Sequence, residues 1–105
     1  MRKIEREMVQ AIIDRRDWRK SNTEVEIYPD FAEIKLHGHT IAEYWFSKEL
    51  IIDHCGWQTV TTKSRLNAII DFIVGGSAGI FQKNFEWFYK AANGEVKSFD
   101  KPLTV

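Results

Sequence analysis

The apolar residues at the start of the chain recur with the period of an α-helix. They predict an amphipathic helix over residues 3–19, which Ser21-Asn22 ends. The stripe comprises Ile4, Met8, Ala11, Ile12 and Trp18.

Strand-like alternation follows this helix. Val25 and Ile27 alternate with glutamates, and Ala32, Ile34 and Leu36 share one face of the next run. A further strand is predicted over residues 49–55, which Gly56 interrupts.

The turn around Gly38 leaves two registers open. Gly38 suits the first central position of a two-residue type II′ turn, but that register sets Ile34 opposite Glu43. A loop one residue longer sets Ile34 opposite Tyr44, which is the better chemical match. We prefer the longer loop, although the turn residue favours the shorter one.

Helical spacing returns in the second half of the chain. A second helix is predicted with Thr61 or Thr62 as its N-cap and Gly75-Gly76 as its stop. Its apolar stripe comprises Leu66, Ile69, Ile70 and Ile73.

An aromatic segment and a hairpin signal end the pattern. Asn93-Gly94 predicts a hairpin that returns residues 95–99 antiparallel. The strand that precedes this hairpin has one aromatic face, which has two interpretations. It either fills the core or forms an exposed stacking platform flanked by Lys83 and Lys90. The aromatic residues of that face are Phe81, Phe85, Trp87 and Tyr89.

These elements predict an α+β fold. We expect a single domain over residues 1–100, with one antiparallel sheet of five or six strands and two helices packed on one face. Residues 101–105 are expected to be a C-terminal tail.

The amino-acid composition indicates the cellular location of the protein more clearly than its function. Fifteen basic and fifteen acidic residues cancel, although residues 1–20 carry seven Lys/Arg against four acids. The single cysteine excludes an intrachain disulfide, and no apolar run reaches the ~18 residues of a membrane span. We expect a cytoplasmic protein that does not enter a membrane.

The segment from Cys55 to Arg65 holds the most chemistry. It runs from a strand end into a helix start, where backbone N–H groups and the helix dipole favour an anion. It lacks the glycine that a P-loop places before its lysine, so we reject ATP hydrolysis. The segment is either a capped helix with surface charges or a phosphate site. The candidate binding residues are Trp57, Thr61, Thr62, Lys63, Ser64 and Arg65.

Metal and catalytic sites have weaker signals. His37, His39 and Cys55 are a conceivable ligand subset, but their spacing is not that of structural zinc. No carboxylate pair or nucleophile motif stands out, and a nuclease using Asp53, His54 and Lys63 has no supporting pattern. We expect no metal, no cofactor and no catalytic residues.

Three stretches of the sequence resemble small, uncharacterised proteins encoded by tailed bacteriophages. The residues that carry the likeness are MRKIEREMVQAI, LHGHTIAEY with CGWQTVTTKSRLNAII, and IFQKNFEWFY. The resemblance implies expression inside an infected bacterium, where small accessory proteins bind nucleic acid, host enzymes or defence machinery.

The sequence therefore favours a small non-enzymatic binding protein in the host cytoplasm. Its expected ligand is nucleic acid or a nucleotide, bound at the start of the second helix. The alternative is an inhibitor that binds a host or antiviral-defence protein through exposed aromatic residues such as Trp45 or Trp87. Self-association into a homo-oligomer is a further partner hypothesis.

Overall fold

The computed structural model describes residues 1–105 and contains two helices and nine strands. The helices are α1 (Lys3–Ile13) and α2 (Val60–Ile73). The strands before α2 are β1 (Trp18–Lys20), β2 (Thr23–Ile27), β3 (Phe31–Leu36), β4 (His39–Trp45) and β5 (Glu49–Ile52). Those after it are β6 (Gly79–Lys83), β7 (Glu86–Lys90), β8 (Val96–Ser98) and β9 (Leu103–Thr104).

The strands form two antiparallel sheets. Six of them pair in the order β1-β2-β3-β4-β5-β9, and the other three pair in the order β6-β7-β8. The predicted α+β class is confirmed, whereas the prediction of a single sheet is wrong. Both helices and the inner faces of both sheets contribute to one core of 19 buried apolar residues.

The first helix ends earlier than its apolar stripe predicts. It stops at Ile13, and Arg15 takes a left-handed φ of 50° as the chain reverses. The Asp17 carboxylate then accepts a hydrogen bond of 2.7 Å from the backbone N–H of Ile27 and fixes the start of β1. Trp18 packs against the core from β1, so the predicted helix over residues 3–19 is wrong beyond Ile13.

The hairpin between β3 and β4 combines a tight turn with a bulge. His37 and Gly38 both have positive φ, 51° and 78°, as a two-residue type I′ turn requires. A bulge then sets Ile34 opposite Ala42. Because the bulge adds a residue to β4, Ile41 and Ala42 are both buried. The preferred longer loop, with Ile34 opposite Tyr44, is therefore wrong.

The predicted stripe of α2 is buried along most of its length. Leu66, Ile69 and Ile70 are fully buried, and Ile73 lies at the edge of the core. Gly75 follows the helix with a φ of 74°, a conformation that glycine adopts without strain, so the predicted stop is confirmed.

The aromatic segment folds back on itself instead of forming one strand. Asn84 and Phe85, with φ of 53° and 66°, make a two-residue turn between β6 and β7. Phe85 is 90% exposed at the tip, whereas Trp87 and Tyr89 are buried. The prediction of one aromatic strand face is wrong. The hairpin at Asn93-Gly94 is confirmed, because β7 pairs with β8 across it.

The last residues belong to the six-stranded sheet. Leu103 in β9 pairs with Ile52 in β5, and the backbone N–H of Val105 donates to the carbonyl of Leu50 at 2.8 Å. Residues 101–105, expected to be a tail, thus complete the edge of this sheet.

The two faces of the six-stranded sheet differ in chemistry. Val25, Ile34, Ala42 and Ile52 form one cross-strand row on the apolar face, and all four are buried in the core that the helices complete. On the opposite face the neighbouring row is acidic and half-buried. This second surface is called the open face, and its central row is Glu26, Glu33 and Glu43.

Candidate functional site

A tight turn places Trp57 at the surface just before α2. The backbone N–H of Trp57 donates to the carbonyl of His54 at 2.8 Å, and Cys55 and Gly56 between them both have positive φ. The His54 Nδ1 atom accepts a hydrogen bond of 2.9 Å from the N–H of Gly56. Trp57 itself remains 54% exposed, so this turn presents a large aromatic ring to the solvent.

The helix that follows is capped by Thr59. The Thr59 hydroxyl oxygen accepts a hydrogen bond of 3.1 Å from the backbone N–H of Thr62. The predicted N-cap, Thr61 or Thr62, is therefore wrong by two or three residues. Thr62 is buried and its hydroxyl lies 3.0 Å from that of Thr59. The first N–H groups of the helix, at Val60 and Thr61, have no partner within the helix.

The side chain of Arg65 is buried in the interior. Its side chain is only 5% exposed, and its Nη1 atom lies 2.8 Å from the Oε2 atom of the buried Glu5 on α1. Its Nε atom donates to the hydroxyl of Thr23 at 2.9 Å. Ser64 serves the same carboxylate, because its hydroxyl donates to Glu5 Oε2 at 2.6 Å. The Arg65 side chain is therefore not positioned to meet a ligand, and the Ser64 hydroxyl is already bonded to Glu5.

This network sets the ionisation of Glu5. Burial raises the pKa of the carboxyl group, but hydrogen bonds from Ser64, Arg65 and the backbone N–H of Arg2, together with the Arg65 charge, lower it further than burial raises it. The net pKa lies below its ordinary value, so Glu5 is held as a carboxylate between α1 and α2. Ser64 and Arg65 thus join the two helices.

Lys63 points towards the second sheet. Its Nζ atom lies 5.9 Å from the centre of the Trp87 ring, near the limit for a cation–π contact. Of the six residues predicted to bind a ligand, three remain at a common surface: Trp57, Thr61 and the edge of Thr62.

Those three residues line a cavity of about 230 Å³ at the start of α2. The Trp57 ring lies 5.8 Å from the His39 ring, centre to centre, with 37° between their planes. Two apolar side chains, a second histidine and the helix cap complete the lining. These remaining residues are Leu36, Ile41, His37 and Thr59.

A polar depression adjoins this cavity and shares His37 with it. Its volume is about 240 Å³, and no apolar side chain lines it. Arg19 brings a cation to it and Glu24 a carboxylate. The Asn22 amide oxygen accepts a hydrogen bond from the Thr23 hydroxyl at 2.8 Å. The two depressions therefore meet at His37, one with an aromatic and apolar lining and the other with a polar lining.

The sequence pattern indicates His37 and His39 only as conceivable metal ligands. No group of three or more His, Cys, Asp or Glu side chains is arranged to hold a metal ion. The Cys55 thiol donates to the carbonyl of Thr40 at 3.0 Å, and burial, with the Asp53 charge, raises its pKa. The turn between β3 and β4 instead places His39 beside Trp57 and His37 on the same cavity, an arrangement that no local motif signals.

Neither helix has the length and the apolar character needed to cross a lipid bilayer. No curated protein matches the chain, and no solved structure matches it. The sequence model of the Kyanoviridae Gp96 protein family matches residues 1–105, which confirms the resemblance to small phage proteins. The match covers the whole chain, and the protein therefore belongs to the Kyanoviridae Gp96 family of phage proteins.

Proposed function

We propose that this phage protein is a non-enzymatic binding protein whose ligand is a nucleotide or an unpaired base of single-stranded nucleic acid. The observation that carries the proposal is the cavity that Trp57 and His39 help to line. Pockets for drug-sized ligands measure roughly 300–1,000 Å³. At about 230 Å³, this cavity suits a single flat ring system.

The cavity matches a nucleobase in its surface chemistry. Leu36 and Ile41 supply apolar contact, and Trp57 supplies an exposed ring face for stacking. Stacking of a base on an aromatic side chain contributes about 1–3 kcal/mol. Thr61 also lines the cavity, and its hydroxyl can hydrogen-bond the polar edge of a base, whereas the Thr59 hydroxyl already caps the helix.

Groups beside the cavity suit a phosphate. The free N–H groups of Val60 and Thr61 lie at the positive end of the α2 dipole. Arg19 lies in the adjoining polar depression, although Glu24 opposes it there. With Arg65 buried, few cations face the ligand. We therefore expect binding to depend on salt less steeply than the sequence predicts.

The test is a titration of the full chain with mononucleotides and with short single-stranded oligonucleotides at low salt. Trp57→Ala is expected to weaken binding at least tenfold, because it removes the stacking face. Phe85→Ala is the matched control, since Phe85 is a 90% exposed aromatic residue on the β6–β7 turn. No binding by the wild type, or equal loss in both variants, would overturn the proposal.

The alternative role, a protein-binding inhibitor of a host or defence protein, depends on exposed aromatic residues. Trp87 is 3% exposed and packs against His54 and Phe99, so it is not available to a partner. Trp45 is half-buried on the open face of the six-stranded sheet and remains accessible. A protein partner would therefore meet a different surface from the Trp57 cavity.

A further inference from the structure

Three glutamates stand side by side on the open face of the sheet. Glu26 pairs with Glu33 across β2 and β3, and Glu33 pairs with Glu43 across β3 and β4. Like charges directly opposite each other destabilise a sheet. Lys35 offsets part of this repulsion, with its Nζ atom 2.8 Å from Glu26 and 3.4 Å from Glu33. Glu43 has no such cation.

Neighbouring side chains hold each of these carboxylates in place. The Tyr28 hydroxyl donates to Glu26 at 2.9 Å and the Thr40 hydroxyl to Glu33 at 3.1 Å. The indole N–H of Trp45 donates to Glu43 at 3.3 Å. The row is therefore oriented before any partner arrives, which reduces the entropy lost on binding.

A stack of three aromatic rings borders the acidic row. The ring centres of Tyr28 and Phe31 are 4.7 Å apart, and those of Phe31 and Trp45 are 4.5 Å apart. Tyr28 is 39% exposed, and the other two rings are half-buried. Two of the three rings donate the hydrogen bonds that orient Glu26 and Glu43, so the rings and the carboxylates form one surface.

The acidic surface continues past Glu43. A depression of about 260 Å³ lies on its far side and includes the carboxylate of Asp53 and the half-buried side chain of Ile51. No basic residue lines it. Its lining consists of Thr40, Ile41, Ala42, Glu43, Ile51, Asp53 and Pro102.

We infer that the open face docks a basic, arginine-bearing segment of a partner protein. A guanidinium group pairs with two carboxylate oxygens at once and also stacks on aromatic rings, and the open face offers both groups side by side. The negative charge of the row disfavours nucleic acid and anionic membranes. This surface is separate from the Trp57 cavity, and the inference stands whether or not the cavity binds a nucleotide.

Repulsion within the acidic row predicts how Glu43→Gln changes both the melting temperature and the binding of a basic partner. Glu43→Gln keeps an oxygen that accepts the Trp45 hydrogen bond but removes the repulsion from Glu33. We therefore expect the variant to melt at a higher temperature than the wild type while binding the basic partner more weakly. A row of purely structural importance would give the opposite change in stability.

The test uses octa-arginine, octa-lysine and octa-glutamate peptides with the full-length chain. Octa-arginine is expected to shift the backbone amide resonances of β2, β3 and β4, and to bind several-fold more tightly than octa-lysine. Octa-glutamate is expected not to bind. Glu33→Gln/Glu43→Gln and Trp45→Ala should each weaken octa-arginine binding at least tenfold, whereas Trp57→Ala should leave it unchanged.

Three outcomes would overturn the inference. The first is octa-arginine binding that the Glu33→Gln/Glu43→Gln variant retains in full. The second is an oligonucleotide that shifts the resonances of Glu26, Glu33 and Glu43 on the open face, as distinct from those of Leu36, His39 and Ile41, which line the Trp57 cavity. The third is sedimentation showing a wild-type dimer that this variant abolishes, because the face would then be occupied by a second copy, which bears Arg2 at the N-cap of α1 and Lys3 and Arg6 within that helix.

Discussion

The start of α2 and the turn that follows it use polar residues in opposite ways. At the start, Trp57, Thr59 and Thr61 border an open cavity beside His39. One turn later, Ser64 and Arg65 are directed into the interior and bind Glu5. Fewer than ten residues separate a candidate ligand site from a structural ion pair.

The difference shows what decides the role of a charged residue on a helix. Lys63 and Arg65 are two positions apart, so they point to different sides of α2. Lys63 lies beside Trp87 on the second sheet, whereas Arg65 faces α1 and β2. The role of each charged residue on α2 therefore depends on the elements that pack against its side of the helix, and not on its side-chain type.

Arg65→Ala tests this comparison with the largest expected effect. Removal of the guanidinium leaves the Glu5 carboxylate buried without its cation, and loss of one partner of a buried ion pair costs about 3–5 kcal/mol. The free energy of unfolding, measured by urea denaturation, should fall by that amount. Lys63→Ala is the control and should cost less than about 1 kcal/mol. A loss for Arg65→Ala as small as that expected for Lys63→Ala would contradict the buried ion pair between Arg65 and Glu5.

Leu66→Ala and Ile69→Ala test the apolar side of α2. Both residues are fully buried, and truncation of such side chains to alanine costs roughly 2–5 kcal/mol. Val60→Ala, at a position 69% exposed on the same helix, should change stability by less than about 0.5 kcal/mol. Denaturation midpoints that do not separate the buried from the exposed position would contradict the packing of α2.

Asn67→Ala tests how the second sheet is attached. The Asn67 side-chain oxygen accepts from the backbone N–H of Ile80 at 2.6 Å, and its nitrogen donates to the Ile80 carbonyl at 3.2 Å. The substitution leaves two backbone groups of β6 without partners, each at a cost of about 1–3 kcal/mol if it stays dry. Hydrogen exchange should accelerate in β6 and β7 before it does in β3. Uniform acceleration would mean that the second sheet does not open separately.

The sequence correctly predicts an element where its local pattern is compatible with only one kind of structure. The stripe of α2 and the turn at Asn93-Gly94 are examples, because helical spacing and an asparagine-glycine pair each favour one local structure. The end of α1 was mispredicted because Trp18 stays in the core after the chain has changed from helix to strand. The turn at Asn84-Phe85 was missed because phenylalanine rarely adopts a positive φ.

The site was only partly predictable because its parts are distant in sequence. Trp57 and Thr61 follow from a strand end that leads into a helix start. His39 reaches the cavity through the β3–β4 turn, and Glu5 binds a residue 60 positions away. No local pattern reports either approach. The side of α2 on which Arg65 lies follows only from the position of α1.

The last prediction concerns pH and has the smallest effect. Because the pKa of Glu5 in the folded chain lies below its ordinary value of 4.5, the unfolded chain binds a proton at higher pH than the folded chain does. The stability that Glu5 contributes is therefore complete above about pH 4.5 and is lost as the pH falls through the folded-state pKa.

Urea midpoints measured from pH 7 down to pH 3 should fall more steeply for the wild type than for Glu5→Gln. Glu7→Gln, which removes an exposed pair with Lys20, should keep most of the wild-type slope. If Glu5→Gln follows the wild type throughout, the acid sensitivity comes from surface carboxylates, and Glu5 and Arg65 are not coupled as the structure indicates.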